Sequence, residues 1–217
     1  MELYFRGKAE FNKAGTPEHL ARAKSIFEQA LSVERPSIPA IFAALAQDGG
    51  RNDLVIDEVL KSLEAKRSSI VLTKRKDHLD YLQKRFSPLV RNRVVLRGGM
   101  SAKESKVAAA ALSVADRDER LIPATGRYVG EGLDDARLDT LFLTMPIAWK
   151  GMLAQSVGRH RLHDGKKDVL VVDYVDQAVP VFARMAAKRR AGYRALDYVS
   201  ETADTLQEAQ PSSSWAD

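Results

Sequence analysis

Short apolar runs alternate with longer segments of helical periodicity from Asn52 onward. The runs are rich in valine, isoleucine and leucine, and the segments between them place apolar residues three and four apart. Such alternation is typical of βαβ units, in which helices join neighbouring parallel strands. The sequence therefore predicts an α/β fold with a mainly parallel sheet. The predicted strands are residues 69–72, 93–96, 120–122, 140–143 and 168–173.

Helices are predicted around and between these strands. The clearest helix start is the run from Ser101 to Glu104, a capping box in which each of the two side chains bonds an N–H group of the first turn. Pro123 has no N–H to donate to a ladder and is expected to disturb the end of the third strand. The predicted helices are residues 54–63, 77–86, 102–114, 149–157 and 179–196.

The two ends of the chain differ from the part between them. Residues 1–50 are predicted to be a helical appendage, with one helix starting at Thr16 and Pro17 and a second over residues 38–46, before a break at Asp48. The α/β domain is expected to cover residues 51–198. Residues 199–217 are acidic and rich in serine, which favours a flexible tail.

Several function classes are excluded by residues that the chain lacks. None of its 217 residues is cysteine, which excludes a disulfide framework, a thiolate metal site and a cysteine nucleophile. His160 and His163, with Asp164 nearby, are too few ligands for a metal site. No G-x-S-x-G elbow of a serine hydrolase occurs. The chain also lacks an export pattern and an apolar stretch of about 20 residues, so we expect a cytoplasmic protein without a membrane partner.

Positive charge is concentrated in two stretches of this basic chain, whose net charge is +5. Basic residues outnumber acidic ones between Lys61 and Arg97. Clusters of this kind are often no more than solvated faces, but they are also the feature by which a protein attracts a polyanion. The second stretch lies on the last predicted helix and comprises Arg184, Lys188, Arg189, Arg190 and Arg194.

Polar segments follow the first three predicted strands. Because the carboxyl ends of parallel strands share one edge of a sheet, we expect these segments to lie together. Glycines let a phosphate backbone approach the main chain, hydroxyls donate to phosphate oxygens, and lysine or arginine neutralises charge. Taken singly, the glycines could supply only a turn and Thr125 only a cap. Together they favour nucleic-acid binding by Thr73, Lys74, Arg75, Arg97, Gly98, Gly99, Thr125, Gly126 and Arg127.

The order of these segments resembles the second RecA-like domain of superfamily 2 helicases and translocases, over roughly residues 54–196. Residues 70–73 resemble motif IV, residues 96–100 the following loop that grips the nucleic-acid backbone, and residues 124–126 the start of motif V. The later residues 131–134 are similar to a segment of the excinuclease helicase subunit. That resemblance implies that Gly132 and Asp134 face a nucleotide. Residues 173–176 and 188–193 are similar to restriction-like and mobile-element-associated helicases.

A second nucleotide-facing motif follows at residues 155–161. It resembles motif VI, which reads Gln-x-x-Gly-Arg-x-x-Arg in the family, and the resemblance implies that Gln155, Arg159 and Arg161 face ATP held by a partner domain. Here the second arginine comes one residue early, with Leu162 in its usual place. One residue on a helix is about 100° and 1.5 Å, so the guanidinium of Arg161 could point away from the phosphates unless a loop absorbs the change.

Neither a phosphate-binding loop nor a metal-holding acidic motif occurs in the sequence. The chain alone is therefore expected to hydrolyse no ATP, and ATP with Mg²⁺ is expected only at an interface with an N-terminal ATP-binding RecA-like domain. The predicted function is the C-terminal half of an ATP-dependent helicase or translocase acting on DNA or RNA. The alternatives are a helicase-derived, non-catalytic nucleic-acid-binding module and an unrelated α/β domain with chance motif similarity.

Overall fold

A four-stranded parallel sheet lies at the centre of the computed structural model, which describes residues 2–6, 9–13, 37–113, 120–125, 137–147, 169–176, 179–196 and 198–201. Five helices among the described residues flank it. The helices are α1 (Ile38–Gln47), α2 (Gly49–Glu64), α3 (Lys76–Phe86), α4 (Ala102–Ser113) and α5 (Pro180–Ala195). The strands are β1 (Glu2–Arg6), β2 (Ala9–Lys13), β3 (Ser69–Thr73), β4 (Leu121–Thr125), β5 (Thr140–Leu143), β6 (Leu170–Tyr174) and β7 (Val199–Glu201).

The sheet has the strand order β2-β7-β1-β6-β5-β3-β4 within the described residues. The four strands from β6 to β4 are parallel, with Ile70 opposite both Ile122 and Leu141. This arrangement confirms the predicted α/β class with a mainly parallel sheet. It also places the carboxyl ends of β3, β4, β5 and β6 on one edge.

Alternate residues of the central strands pack on opposite faces of the sheet. Ile70 and Leu72 of β3 lie on the side of α4 and α5, where they share a core with Ala108 and Ala186. Val71 lies on the other side, under α2 and α3. Successive side chains of a strand point to opposite faces, and all five residues of β3 are buried, so an uninterrupted apolar run is what this central strand requires.

The predicted strand at residues 93–96 is wrong, and Pro123 explains why. Residues 92–96 lie beside β4, where the amides of Leu121 and Thr125 donate to the carbonyls of Asn92 and Leu96 at 2.9 and 3.0 Å. Between Leu121 and Thr125, the residue of β4 whose amide would point toward residues 92–96 is Pro123. Proline has no N–H to donate. Only two isolated bridges form as a result, and β4 itself continues through the proline to Thr125.

The described parts of the N-terminal segment contain strands that were not predicted. β1 pairs antiparallel with β6, placing Glu2 opposite Tyr174, and it also pairs with β2 and β7. Strand β7 covers the first residues of the predicted tail. The helix predicted over residues 38–46 is confirmed as α1, whereas the helix predicted at Thr16 lies outside the described residues, as does the one predicted over residues 149–157.

Helix ends follow the capping chemistry of the sequence. The amide of Ser101 donates to Glu104 Oε2 at 2.7 Å and the amide of Glu104 donates to Ser101 Oγ at 3.2 Å, which confirms the predicted capping box. Asp48 ends α1 and caps α2, where its carboxylate accepts from the amide of Arg51 at 3.1 Å. Among the residues described, none of the helices combines the length and the apolar character that crossing a bilayer requires.

Candidate nucleic-acid interface

The carboxyl edge of the parallel strands brings the predicted nucleic-acid segments together. Thr73, the last residue of β3, lies opposite Thr125, the last residue of β4. Beyond β4, Leu96 bridges to Ala124, and the amide of Gly98 donates to Thr125 Oγ1 at 3.1 Å. The hydroxyl of Thr125 therefore ties the loop that starts at residue 97 to the end of β4.

The loop of residues 97–100 is held at both ends. The amide of Arg97 lies 3.3 Å from Met100 Sδ, and its guanidinium pairs with Glu104 at 3.1 Å. The amide and hydroxyl of Ser101, followed by the guanidinium of Arg97, lower the pKa of Glu104. Both charged side chains are about half exposed, at 47%, so Arg97 could exchange its carboxylate partner for a phosphate at little cost.

Gly99 has a backbone conformation that favours glycine, with φ at 83°. A Cβ built on it would lie 3.8 Å from Lys76 Nζ, so the ammonium of the first residue of α3 lies beside the loop. Lys76 was not among the predicted site residues, although it is the fourth residue of the same polar segment after β3. No pattern along the chain shows that this lysine lies beside a glycine more than twenty positions away.

Replacing Gly99 by alanine is expected to lower the free energy of unfolding by about 1–2 kcal/mol, because the left-handed conformation strains a residue that carries a Cβ. Space is available, since the nearest atom is the end of a flexible lysine. The matched control is Gly49→Ala, at the start of α2 with nothing within 4 Å, which we expect to leave stability unchanged or raise it. Urea unfolding of both variants checks this, and equal effects would contradict it.

Thr73 is fully buried, and its hydroxyl is one end of a series of hydrogen-bonded side chains. Asn52 Nδ2 donates to the carbonyl of Ala46 at 2.9 Å, which turns Asn52 Oδ1 toward His78 Nε2 at 2.8 Å. Nε2 therefore carries the proton of the neutral ring, and Nδ1 accepts from the hydroxyl of Thr73 at 2.9 Å. Because the Thr73 proton is engaged inside the protein, this residue shapes the start of the loop from β3 to α3.

The stability of the protein is expected to fall as the pH drops below 6.5, because His78 must stay neutral. Burial, followed by the charge of Arg51, lowers the pKa of His78 from 6.5 to about 3. Between these two values only the unfolded chain binds a proton at this site, at a cost of about 1.4 kcal/mol per pH unit. Urea unfolding at pH 7 and 5 should show a smaller loss for His78→Gln than for the unaltered chain, and equal losses would refute this.

Lys74 and Arg75 lie on the surface beside the buried threonine. The ammonium of Lys74 is 4.5 Å from the centre of the Phe42 ring, which packs edge-on against Phe182. The guanidinium of Arg75 makes a two-pronged contact with Asp77, at 2.6 and 2.9 Å, and this contact is the main reason that the pKa of Asp77 is lowered. Lys74 and Lys76 are the exposed cations here for which no carboxylate contact is seen among the described residues.

Seven predicted site residues lie outside the described part of the chain. They include Gly126 of the motif V start and the three predicted site residues of motif VI, so their roles stay predictions. Among the described residues there is also no group of three or more histidine, aspartate or glutamate side chains that could hold a metal ion. The seven residues are Gly126, Arg127, Gly132, Asp134, Gln155, Arg159 and Arg161.

One residue of the second basic stretch is not on the surface. Arg189 is 1% exposed and makes two contacts with the buried carboxylate of Asp173, at 2.6 and 2.8 Å. Its third donor bonds the carbonyl of Ile147 at 3.0 Å. Arg189 is thus a core residue rather than part of a solvated cationic face. The sequence did hold one signal for this pairing. Asp173 falls in a strand expected to be buried, and a buried carboxylate requires a cationic partner.

Known structures share this fold, although no protein-family model matches the chain and no curated protein sequence matches it. T4 UvsW superposes with a TM-score of 0.59 at 12% identity, over 88% of this chain and 40% of UvsW. The Sulfolobus solfataricus SWI2/SNF2 ATPase core domain gives a TM-score of 0.48 at 14% identity, over 70% of this chain and 36% of the other. The UvsW likeness confirms the predicted RecA-like fold, and the chain spans less than half the length of UvsW.

Proposed function

We propose that this chain is the C-terminal half of an ATP-dependent helicase or translocase, which binds a nucleic-acid backbone and supplies Gln155 and Arg159 to ATP bound by a separate first RecA-like domain. The observation that carries the proposal is the approach of the first residue of α3 to the loop of residues 97–100 at the carboxyl edge of the sheet, where the Lys76 ammonium lies beside Gly99. The RecA-like fold and the motif order support it. Gly132 and Asp134 complete the proposed nucleotide-facing set.

Backbone contact, rather than base reading, is the mode of binding that this edge supports. Lys74 and Lys76 offer charge without a carboxylate partner among the residues described, and Gly99 leaves room for a phosphate to approach the main chain. Aromatic rings are the usual platform on which bases stack, and Phe42, the ring beside Lys74, is 4% exposed. We therefore propose a partner that is DNA or RNA, bound without sequence preference.

A second candidate function is a non-catalytic module that keeps nucleic-acid binding alone. The early position of Arg161 favours it, because the altered spacing would misdirect one of the two arginines of motif VI. Both candidates use the same nucleic-acid edge. They differ in whether a first RecA-like domain acquires ATPase activity when this chain is added.

Nucleic-acid affinity is expected to fall steeply with salt. Each phosphate contact adds about −0.9 to the slope of log K against log salt for duplex DNA and about −0.7 for single strands. Fluorescence anisotropy with labelled duplex DNA, single-stranded DNA and RNA measures this slope for the unaltered chain. Lys74→Ala and Lys76→Ala should each reduce the steepness by about one contact.

Lys61→Ala is the matched control for these variants. It removes the same charge from the far end of α2, where Lys61 pairs with Glu58 at 2.9 Å, and we expect its slope to equal that of the unaltered chain. A flat salt response, or equal changes for all three lysines, would rule out the carboxyl edge as the contact surface.

A further inference from the structure

Two arginines from opposite faces of the sheet hold the short segment that follows β5, residues 144–147, which we call the exit segment. Arg51 of α2 donates to the carbonyl of Thr144 at 2.5 Å. Arg189 of α5 donates to the carbonyl of Ile147 at 3.0 Å. The two ends of the exit segment are thus each bonded to a guanidinium, one from each helical layer.

Each of these arginines is also paired with an aspartate, Asp173 within β6 or Asp176 just after it. The guanidinium of Arg189 faces both carboxylate oxygens of Asp173 at 2.6 and 2.8 Å, and both side chains are 1% exposed. Arg51 lies 3.4 Å from Asp176, with 8% and 13% of the two side chains exposed. The two aspartates are three residues apart, and their arginines make the same pair of contacts: one with an aspartate and one with an exit-segment carbonyl.

The geometry of the guanidinium makes these contacts directional. Its donors form a rigid planar fork, so bonding a carboxylate on one side fixes where the remaining donors can meet a carbonyl. A buried ion pair is weak evidence for stability, because well-packed apolar residues often replace it at no cost. What apolar residues cannot supply is a bond to a backbone carbonyl at a defined point.

We propose that Arg51, Asp173, Asp176 and Arg189 are positioning residues that fix where the chain leaves the sheet after β5. The inference rests on the proposed function, since Gln155 and Arg159 follow the exit segment in the sequence. In that role the two pairs set the starting point of the segment that carries both residues. Met145, fully buried in the core formed with α1 and α5, keeps the exit segment against the body of the protein.

Arg51→Lys is the decisive variant, because the pair it belongs to is less buried than Asp173 and Arg189. The lysine keeps the positive charge but offers one nitrogen in place of the planar fork, so it cannot reproduce the contacts that separate guanidinium nitrogens make with Asp176 and the Thr144 carbonyl. The amide of Thr144 bonds the Leu72 carbonyl at 3.0 Å and its exchange with deuterium reports opening of the exit segment. We expect that exchange to be about tenfold faster in Arg51→Lys, the effect of losing one charged hydrogen bond.

Arg85→Lys is the matched control. Like Arg51, Arg85 pairs with an aspartate: it lies on α3 and contacts Asp53 of α2 at 2.8 Å. Unlike the Arg51 pair, both side chains are exposed, and neither contacts the exit segment. In the Arg85→Lys variant, deuterium exchange of the Thr144 amide should be as fast as in the unaltered chain. Faster exchange in Arg51→Lys confined to the exit segment supports the proposal. Unchanged exchange at Thr144, or an equal increase at Leu72 and Phe142, overturns it.

A spectroscopic measurement separates positioning from general stability. The chain has two tryptophans, and Trp149 comes two residues after Ile147, so Trp215→Phe leaves Trp149 as the sole reporter. In that background, and at a temperature where circular dichroism shows all variants folded, Arg51→Lys should shift the emission maximum of Trp149 while Arg85→Lys should not. Identical emission from the two variants overturns the proposal. Failure of the proposed function would show instead as absence of salt-dependent nucleic-acid binding by the unaltered chain, which leaves the exchange and emission results intact.

Discussion

Replacing Asp173 by asparagine is expected to lower the free energy of unfolding by about 3–5 kcal/mol, because it leaves the guanidinium of Arg189 buried without its counter-charge. Arg189 is 1% exposed, and desolvation opposes its charge while the carboxylate of Asp173 supports it. The pKa of Arg189 is raised because Asp173, with smaller contributions from Tyr193 and Asp176, outweighs that desolvation. Urea unfolding followed by circular dichroism measures the loss.

Two controls separate the buried charge from the substitution itself. Asp53→Asn breaks the exposed pair with Arg85 and should change the unfolding free energy by no more than about 1 kcal/mol. The double variant Asp173→Leu/Arg189→Met removes both charges and should recover much of the stability lost in Asp173→Asn. Similar small losses of unfolding free energy for Asp173→Asn and Asp53→Asn would contradict the expected cost of leaving Arg189 buried without its counter-charge.

Replacing Arg159 by alanine is expected to reduce ATP hydrolysis by about 10³- to 10⁵-fold, the contribution of an arginine that stabilises a phosphoryl-transfer transition state. The assay requires this chain mixed with a first RecA-like domain that carries a phosphate-binding loop. The chain alone should show no hydrolysis, and the mixture should show hydrolysis that nucleic acid stimulates. Phosphate release in the mixture, with and without nucleic acid, measures the effect.

Arg161→Ala is the internal comparison for that experiment. If the early position of Arg161 turns its guanidinium away from the phosphates, the loss should be far smaller than for Arg159→Ala. Equal losses would show that the segment absorbs the missing residue. Hydrolysis untouched by Arg159→Ala would defeat the catalytic assignment, and nucleic-acid binding without any hydrolysis in the mixture would favour the non-catalytic module.

Local sequence patterns were sufficient for the central elements of the fold. The strands predicted at residues 69–72 and 140–143, and the helix beginning after Ser101, were each found within one residue of their predicted bounds. These elements depend on short-range rules, namely an apolar run that both faces of a sheet can bury and a capping box that bonds the first turn. The position of the polar segments on one edge followed from the same strands.

Some strands could not be predicted from local patterns, because whether a segment forms a strand also depends on the strand beside it. Residues 93–96 have the composition of a strand, yet they form only isolated bridges because the neighbour they face is a proline. Strands β1 and β7 were missed because they pair with each other across the two ends of the sequence, and β1 also pairs with the distant β6. Strand propensity is a weak signal unless the pairing partner is known.

Patterns along the chain were enough to predict the fold class and the order of the polar segments at the carboxyl edge of the sheet. The folded protein was needed to show that Lys76 lies beside Gly99, that the hydroxyl of Thr73 bonds His78, and that Arg189 belongs to the core with Asp173. The physical reason is that composition and periodicity are local, whereas the burial and the partner of a charged side chain depend on which distant elements pack against it.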